Sequence, residues 1–290
     1  MDQVEAVCLG YAIPHRDFMA EVHSVFNNAV NLHLLKNGQI ITLVPFHEAD
    51  LPQGIRLKTP EGFIFTGLNQ GEKAICRKQI VSFNTGLLTV NKQFARRWKC
   101  ELQKLWIDLK NSLICDAWKN AVHLFEQHWD EEQNGSFYEQ RFASKVIDEI
   151  TQDLIISTRL YDEISAKKFV EKLIGLGPGL TPAGDDYLVG FLAGLWSSMG
   201  KNAKNTQFVN HIGKTIDQFS SRTNIISKAY LQHAVNGQVS SKLAALAKAI
   251  SFGKCDHLLF EAAEASMRVG HISGLMATKG LLQGISAWKT

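Results

Sequence analysis

The chain has 290 residues, of which 45% are hydrophobic, and this length suffices for one large domain or two ordinary domains with apolar cores. Its 31 basic and 28 acidic side chains leave a formal net charge of +3, so no basic surface for nucleic acid is expected. The five cysteines are scattered and never take a CxxC spacing, which argues against a disulfide framework and a zinc knuckle.

The hydrophobic segments give no sign of membrane insertion or secretion. The longest apolar run, residues 187–196, is shorter than the roughly 20 residues that span a bilayer. The N-terminal residues carry early acids and no apolar stretch typical of a signal peptide. We therefore expect a soluble, reduced, cytoplasmic protein that has neither nucleic acid nor a membrane as its partner.

Residues 1–92 are predicted to form a β-rich domain, because short β-type runs alternate there with turn signals. These runs lie at residues 4–9, 55–58, 63–66, 73–77 and 79–83. Asn37-Gly38 joins two more runs, 32–36 and 39–44, as a predicted hairpin. Several short strands without intervening helices are typical of a small barrel or sandwich.

Residues 93–290 are predicted to form a mostly helical domain, which makes the chain α+β. Apolar residues recur every three to five residues from Phe94 to Trp118, a spacing typical of a helix. Gln133-Asn134-Gly135-Ser136 is predicted to be a loop. Further helices are predicted at 137–156, 165–174, 207–219, 224–235, 240–251, 257–269 and 273–287.

The stretch GLGPGLTPAGDD, residues 175–186, precedes a predicted central helix. Thr181 is a suitable N-cap, and Pro182 suits the first helical position. The segment that follows is apolar on every face, so the helix is expected to be buried. Gly190 and Gly194 lie one turn apart, which would let another helix approach closely.

The glycine-rich stretch is a candidate anion site. Gly177, Gly179 and Gly184 leave main-chain amides bare in front of a helix N-terminus, where unpaired N–H groups favour an anion. Asp185 and Asp186 project about 100° apart on a helix. One of them is predicted to bind a metal or a substrate N–H, while the other caps backbone or pairs with a cation. Mg²⁺ is the candidate metal and no other cofactor is expected. The structural alternative is that acids merely favour a helix N-terminus.

Residues 220–227, SSRTNIIS, form a second helix start that is rich in hydroxyl groups. Thr223 and Ser227 are four residues apart and share a helix face. The planar guanidinium of Arg222 is suited to gripping an oxyanion. All three are candidate substrate-binding residues. The alternative is an ordinary hydroxyl cap beside an exposed arginine.

Gly270-His-Ile-Ser-Gly274 is a third turn built of small residues. His271 is a candidate general acid or base near neutral pH. Ser273 and Gly274 are candidate substrate-binding residues at the start of the last helix. The alternative is that Ser273 caps this helix and that His271 is a partly buried polar residue.

The three segments occur in a characteristic order. The run GLGPGLTPAGDDYLVGFLAG, followed by RTNIISKAYLQHAVNG and VGHISG, resembles the signature of the bacterial AllH-like family, long catalogued as a domain of unknown function. The resemblance is strongest over residues 170–284. It implies one subunit of an oxamate carbamoyltransferase of allantoin degradation, a branch of purine catabolism. The implied partners are a synthetase-like subunit and a further subunit.

The resemblance also implies a reaction, the phosphorolysis of oxalurate or a related ureide to oxamate and carbamoyl phosphate. Phosphate, carbamoyl phosphate or an oxamate-like anion would lie on the amides of residues 177–184, with Arg222 or nearby hydroxyls completing the site. Asp185 or Asp186 would orient the carbamoyl N–H groups or hold Mg²⁺. Two alternatives remain open: a Mg²⁺-dependent small-molecule kinase or phosphatase, and a non-catalytic subunit that binds a metabolite.

Overall fold

The structure is a computed structural model that describes residues 2–135, 138–270 and 272–288. The chain divides into two compact units, one ending at Cys100 and the other beginning at Glu101. The first unit contains all the strands of the described residues, and the second contains their α-helices. The predicted α+β class is therefore confirmed.

The first unit is a closed barrel of eight strands. Hydrogen bonds connect the strands in the order β5-β4-β3-β2-β6-β7-β8-β1, and antiparallel pairing of β1 with β5 closes the ring. A short ninth strand pairs with β1 in parallel. The strands are β1 (Asp2–Gly10), β2 (Phe18–Phe26), β3 (Ala29–Leu34), β4 (Ile40–Val44), β5 (Gly54–Leu57), β6 (Lys73–Arg77), β7 (Ile80–Phe83), β8 (Leu88–Asn91) and β9 (Arg96–Trp98).

Alternation along the strands builds the barrel core. In β6, β7 and β8 every second side chain is buried, as expected for strands with one face turned inward. The strands β3, β4 and β5 contribute aliphatic side chains that are fully buried, among them Leu32, Leu43, Ile55 and Leu57. The predicted barrel or sandwich is confirmed as a barrel.

The predicted strand runs are mostly present, including the hairpin around Asn37-Gly38. The predicted run 63–66 is wrong, because this segment has no strand pairing even though Phe65 is buried. The helical prediction for residues 92–111 is also wrong. This part of the chain holds β9, a 3-10 turn at Leu102–Lys104 and irregular segments. Since β9 pairs with β1, residues beyond position 92 belong to the barrel unit.

The second unit consists of helices, and those predicted from residue 137 onward lie within a few residues of their expected positions. The helices are α1 (Ser112–Gly135), α2 (Tyr138–Leu160), α3 (Glu163–Leu173), α4 (Ala183–Ser198), α5 (Ala203–Phe219), α6 (Ile225–Val235), α7 (Ser241–Ser251), α8 (His257–Met267) and α9 (Ser273–Ser286). Several begin where a side chain accepts hydrogen bonds from main-chain amides of the first turn, at Asp162, Asn202, Asn224, Ser240 and Asp256.

One local prediction in this unit needs correction. The loop expected at residues 133–136 is wrong as far as Gly135, because α1 continues through that residue; Ser136 lies outside the described residues. Within the described part of the chain, no helix combines the length and the apolar composition needed to cross a membrane.

The buried central helix is confirmed as α4. Tyr187, Leu192 and Ala193 are completely buried, although they lie on different faces of the helix. This burial positions the N-terminus of α4, together with the glycine-rich loop before it, against the other helices of the unit.

Glycines let α9 approach α4 closely, as predicted. A Cβ atom on Gly190 would lie 1.9 Å from the carbonyl oxygen of Ala277, and one on Gly194 would lie 2.4 Å from that of Leu281. From the α9 side, a Cβ atom on Gly280 would lie 2.2 Å from the carbonyl oxygen of Tyr187. The crossing is therefore a backbone-to-backbone contact that no larger residue fits.

Candidate functional site

The loop that precedes α4 owes its shape to glycine. Gly175, Gly177 and Gly179 have φ values of +74°, +113° and +93°, which disfavour other residues. A Cβ atom on Gly175 would also lie 2.6 Å from the carbonyl oxygen of Arg222. At Gly179 a Cβ atom would meet nothing within 4 Å, because this part of the loop faces open space.

Two hydrogen bonds to main-chain carbonyls hold the loop in place. The amide of Gly184 donates to the carbonyl of Leu176 at 2.9 Å. The side-chain amide of Asn224 donates to the carbonyl of Leu180 at 2.8 Å, while its oxygen caps α6. Asn224 was not predicted to be a site residue. Its position just before a predicted helix is the sequence signal that could have indicated this role.

Several amides of the loop have no hydrogen-bond acceptor among the described residues. They belong to Gly177, Gly179, Leu180, Thr181 and Ala183. Gly179 and Leu180 are exposed, whereas Gly177, Thr181 and Ala183 are half-buried, and all five lie near the positive end of α4. This is the arrangement of donors that favours a bound anion.

The start of α4 differs from the prediction. Pro182, not Thr181, occupies the N-cap position, and no side chain caps the helix. The Thr181 hydroxyl instead makes a 2.7 Å hydrogen bond with the hydroxyl of Ser273, the first residue of α9. The N-termini of α4 and α9 therefore meet at this hydroxyl pair.

Asp185 is completely buried, and its carboxylate accepts hydrogen bonds from three groups of the protein. One carboxylate oxygen accepts from the amide of Gly175 at 2.9 Å. The other accepts from the hydroxyls of Thr223 at 2.5 Å and Ser227 at 2.7 Å. Asp185 therefore links the glycine loop to the start of α6. Thr223 and Ser227, the two hydroxyl residues predicted for the site, both donate to the same oxygen of Asp185.

Asp186 is in a contrasting environment. Its Oδ2 atom is buried and has no hydrogen-bond partner among the described residues. Burial raises the pKa of this carboxyl from 3.8 to about 7. The nearby hydroxyls of Ser273 and Thr181 lower the pKa, and the charge of Asp185 raises it further. A carboxyl with this pKa can either donate or accept a proton near neutral pH.

The third predicted segment contributes Ser273 but not a free main-chain donor at Gly274. The amide of Gly274 donates to the carbonyl of Val269 at 2.8 Å. A Cβ atom there would lie 2.5 Å from the carbonyl oxygen of Ser266, so the glycine permits close packing. His271, the candidate acid or base, lies outside the described residues.

The guanidinium of Arg222 is engaged by other protein groups. It forms an ion pair with Glu171 at 2.8 Å and lies over the ring of Phe219, 4.7 Å from the ring centroid. About half of the side chain is exposed. Arg222 therefore contributes its main chain to the packing against Gly175, while its charge is already balanced.

The acids of the site do not form a ready metal centre. Within the described residues, no three histidine, cysteine or acidic side chains are grouped as a metal site. Both oxygens of Asp185 accept hydrogen bonds from the protein. Mg²⁺ is commonly held by one or two carboxylates together with substrate phosphate, so Asp186 is the one of the two acids with an oxygen left to offer.

Comparison with known families covers both units. A family profile described as oxamate carbamoyltransferase subunit AllH matches residues 173–285, which include the glycine loop and nearly all of α4 to α9. A second profile, described as the AllH family N-terminal domain, matches residues 6–113 and so includes most of the barrel. The designation as a subunit implies an enzyme made of several chains. No solved structure matches the chain. With most of its length covered by these two profiles, the chain belongs to the AllH family.

Proposed function

We propose that this chain is a subunit of a carbamoyltransferase and that its glycine loop binds the phosphate or carboxylate end of the reactants. The family description supports the reaction class. The observation that carries the assignment to this loop is the orphaned oxygen of Asp186, which lies at the same helix start as the unpaired amides.

The loop is suited to negative charge rather than to a neutral group. The amides of Gly179, Leu180 and Thr181 are consecutive donors without a protein acceptor among the described residues, and they precede the positive end of α4. Preorganised donors of this kind stabilise charge that develops on oxygen during acyl-type transfer. They would hold phosphate before the reaction and carbamoyl phosphate after it.

Asp186 is proposed as the general acid of the phosphorolysis of oxalurate or a related ureide. An oxygen of phosphate attacks the carbamoyl carbon and forms a C–O bond. The bond from that carbon to the oxamate nitrogen breaks, and the nitrogen takes up the proton of Asp186. In the reverse direction the Asp186 carboxylate removes this proton. A pKa of about 7 suits both directions near neutral pH.

Asp185 is proposed as a positioning residue that does not touch the reactants. Its carboxylate fixes Gly175, Thr223 and Ser227, so it holds the loop in the conformation that leaves the amides free. The reaction then depends on Asp185 through the geometry of the loop. We further propose that a synthetase-like chain and one more chain complete the enzyme.

The test uses the assembled enzyme with a single substitution in this subunit. Asp186→Asn removes the proton but keeps the shape of the side chain, so kcat is expected to fall by about 10²- to 10⁴-fold. KM for phosphate is expected to change much less. Asp217→Asn, at an exposed aspartate of α5, is the matched control and should leave the rate unchanged.

Two results would overturn the proposal. If Asp186→Asn assembles normally and retains its kcat, the carboxyl is not the acid. If Leu180→Pro, which removes one of the unpaired main-chain N–H groups, leaves phosphate and carbamoyl phosphate binding intact by calorimetry, the loop is not the anion site. Normal kcat combined with lost binding of a metabolite would instead indicate a non-catalytic, metabolite-binding subunit.

A further inference from the structure

A groove of about 780 Å³ lies on the barrel unit, and the proposed transferase chemistry makes no use of it. Phe18, Leu34 and Ile75 give it an apolar lining. Met19 and Leu35 stand at the groove with 55% and 47% of their surface exposed. Exposed apolar side chains that gather around a concave surface are typical of a binding site.

The polar lining of this groove is predominantly cationic. Arg16, Lys36 and Arg77 are exposed, and no carboxylate of the described residues lies within ion-pair distance of them. Asp17 is the acid of the lining, and its carboxylate already accepts from the amide of Lys78 at 3.0 Å. The groove therefore presents positive charge around an apolar surface.

A buried lysine adds to this imbalance. Lys92 is only 2% exposed, and its ammonium lies 5.0 Å from the ring centroid of Phe18. Its charge also acts on the thiol of Cys76, another residue of the groove lining. No carboxylate of the described residues pairs with Lys92. Lys92 does not itself line the groove; its positive charge lies next to the lining residues Phe18 and Cys76.

We propose that this groove binds a small organic anion with an apolar body, such as an aromatic carboxylate or phosphate monoester. The apolar body would lie on Phe18 and Ile75, and the anionic end would face Arg16 and Arg77. The cavity volume lies within the range of about 300–1,000 Å³ found for small-molecule sites. This inference concerns the barrel unit alone and does not depend on the proposed transferase activity.

The test measures the affinity of the full-length chain for three probes of similar shape and different charge. They are 2-naphthoate, the neutral 2-naphthylmethanol and the cationic 2-naphthylmethylammonium, titrated by calorimetry at low salt. The anion is expected to bind at least tenfold more tightly than the alcohol, and the ammonium most weakly. Methyl resonances of labelled methionines locate the probe, and the signal of Met19 should shift on addition of naphthoate.

Substitutions separate charge from apolar contact. Arg16→Gln combined with Arg77→Gln should reduce naphthoate affinity about tenfold or more and abolish its advantage over the alcohol. Leu35→Ser should weaken the binding of naphthoate and of the alcohol by a similar factor. Lys58→Gln, at an exposed lysine of the barrel that does not line the groove, is the matched control and should change neither affinity.

Three outcomes would contradict the proposal. Equal binding of all three probes would mean that the surface is merely apolar. Binding that does not shift the Met19 resonance would place the ligand elsewhere. Absence of naphthoate binding at millimolar concentration, together with a Met19 shift on addition of another subunit, would assign the groove to an acidic protein segment instead.

Discussion

Asp185 and Asp186 are neighbours in the chain, yet their surroundings give them opposite properties. Asp185 receives hydrogen bonds from one amide and two hydroxyls, whereas Asp186 has a buried oxygen without a hydrogen-bond partner among the described residues. Both effects follow from their projection in different directions at the start of α4. The same dipeptide is therefore proposed to supply one residue for structure and one for chemistry.

The hydrogen bonds that Asp185 accepts predict that substitutions among these residues lower the stability of the chain. Asp185→Asn keeps the side-chain shape but leaves hydroxyl and amide donors poorly matched in a buried position. We expect the free energy of unfolding to fall by about 3 kcal/mol. Thr223→Val should cost less, about 1 kcal/mol, because only one of the bonds is lost. Urea denaturation measures both, and an unchanged midpoint for Asp185→Asn would contradict the role assigned to it.

Asp186 gives a pH-dependent contribution of known sign. Its pKa is about 7 in the folded chain against 3.8 without the burial, so the folded state binds more protons between these values. Stability should therefore fall as the pH rises from 4 to 7 and stay lower above pH 7. The difference corresponds to on the order of 4 kcal/mol.

The matched variant for this effect is Asp186→Asn, which cannot ionise. At pH 8 it should be more stable than the unmodified chain, and the two stabilities should converge near pH 4. Thermal or urea unfolding across this pH range measures the difference. If the difference in stability between the variant and the unmodified chain is the same at pH 4 and pH 8, the carboxyl is not buried as described.

At this scale the sequence predicted which residues gather but not their roles. The two acids were expected to point apart, and the three segments were expected to share a site. Which acid faces the protein depends on Thr223 and Ser227, which lie 38 and 42 residues from Asp185. The ion pair of Arg222 with Glu171 has no local signature in the sequence.

At the scale of elements, the crossing of α4 and α9 is the most constrained contact of the helical unit. Glycines on both helices bring the backbones together, so an added methyl group meets main-chain atoms that cannot move aside. Gly190→Ala should therefore destabilise the chain by about 3 kcal/mol or more. Loss of soluble, folded protein is the extreme form of the same result.

Gly213→Ala in α5 is the control for the crossing. Its Cβ atom would approach the side chain of Val235, at 2.7 Å, rather than the backbone of a neighbouring helix. A side chain can change its rotamer, so the loss should be about 1 kcal/mol or less, partly offset by the higher helix propensity of alanine. Equal unfolding midpoints for Gly190→Ala and Gly213→Ala would contradict the account of the crossing.

Helices were predicted more completely than strands for a physical reason. Helices are stabilised by neighbours in sequence, and caps such as Asp256 and Ser240 mark where they begin. The strand β9 contains two arginines and only three residues, and it exists because Cys8 and Gly10 of β1 pair with it. Such long-range pairing leaves no periodic pattern, which is why a helix was expected there.

At the scale of the whole molecule, the five cysteines are free thiols with very different accessibility. Burial and a hydrogen bond to Asp50 raise the pKa of Cys8 to about 12. Iodoacetamide at pH 8 should therefore label exposed Cys255 first and half-buried Cys115 next. Mass spectrometry of the native chain measures the order. Early labelling of Cys8, before unfolding, would contradict the barrel packing.

The two units also differ in what they offer to a multi-chain enzyme. The helical unit carries the glycine loop with its unpaired amides, and the barrel unit carries the cationic groove. An anion and the proton of Asp186 are proposed to meet at the loop before α4.

The most direct measurement is the proton uptake that accompanies binding of phosphate to the assembled enzyme, obtained by calorimetry at pH 8 in buffers of different ionisation enthalpy. An anion beside Asp186 raises the pKa of that carboxyl further, so binding should take up a proton fraction that disappears in Asp186→Asn. Binding without proton uptake, or uptake that persists unchanged in Asp186→Asn, would contradict the proposed site.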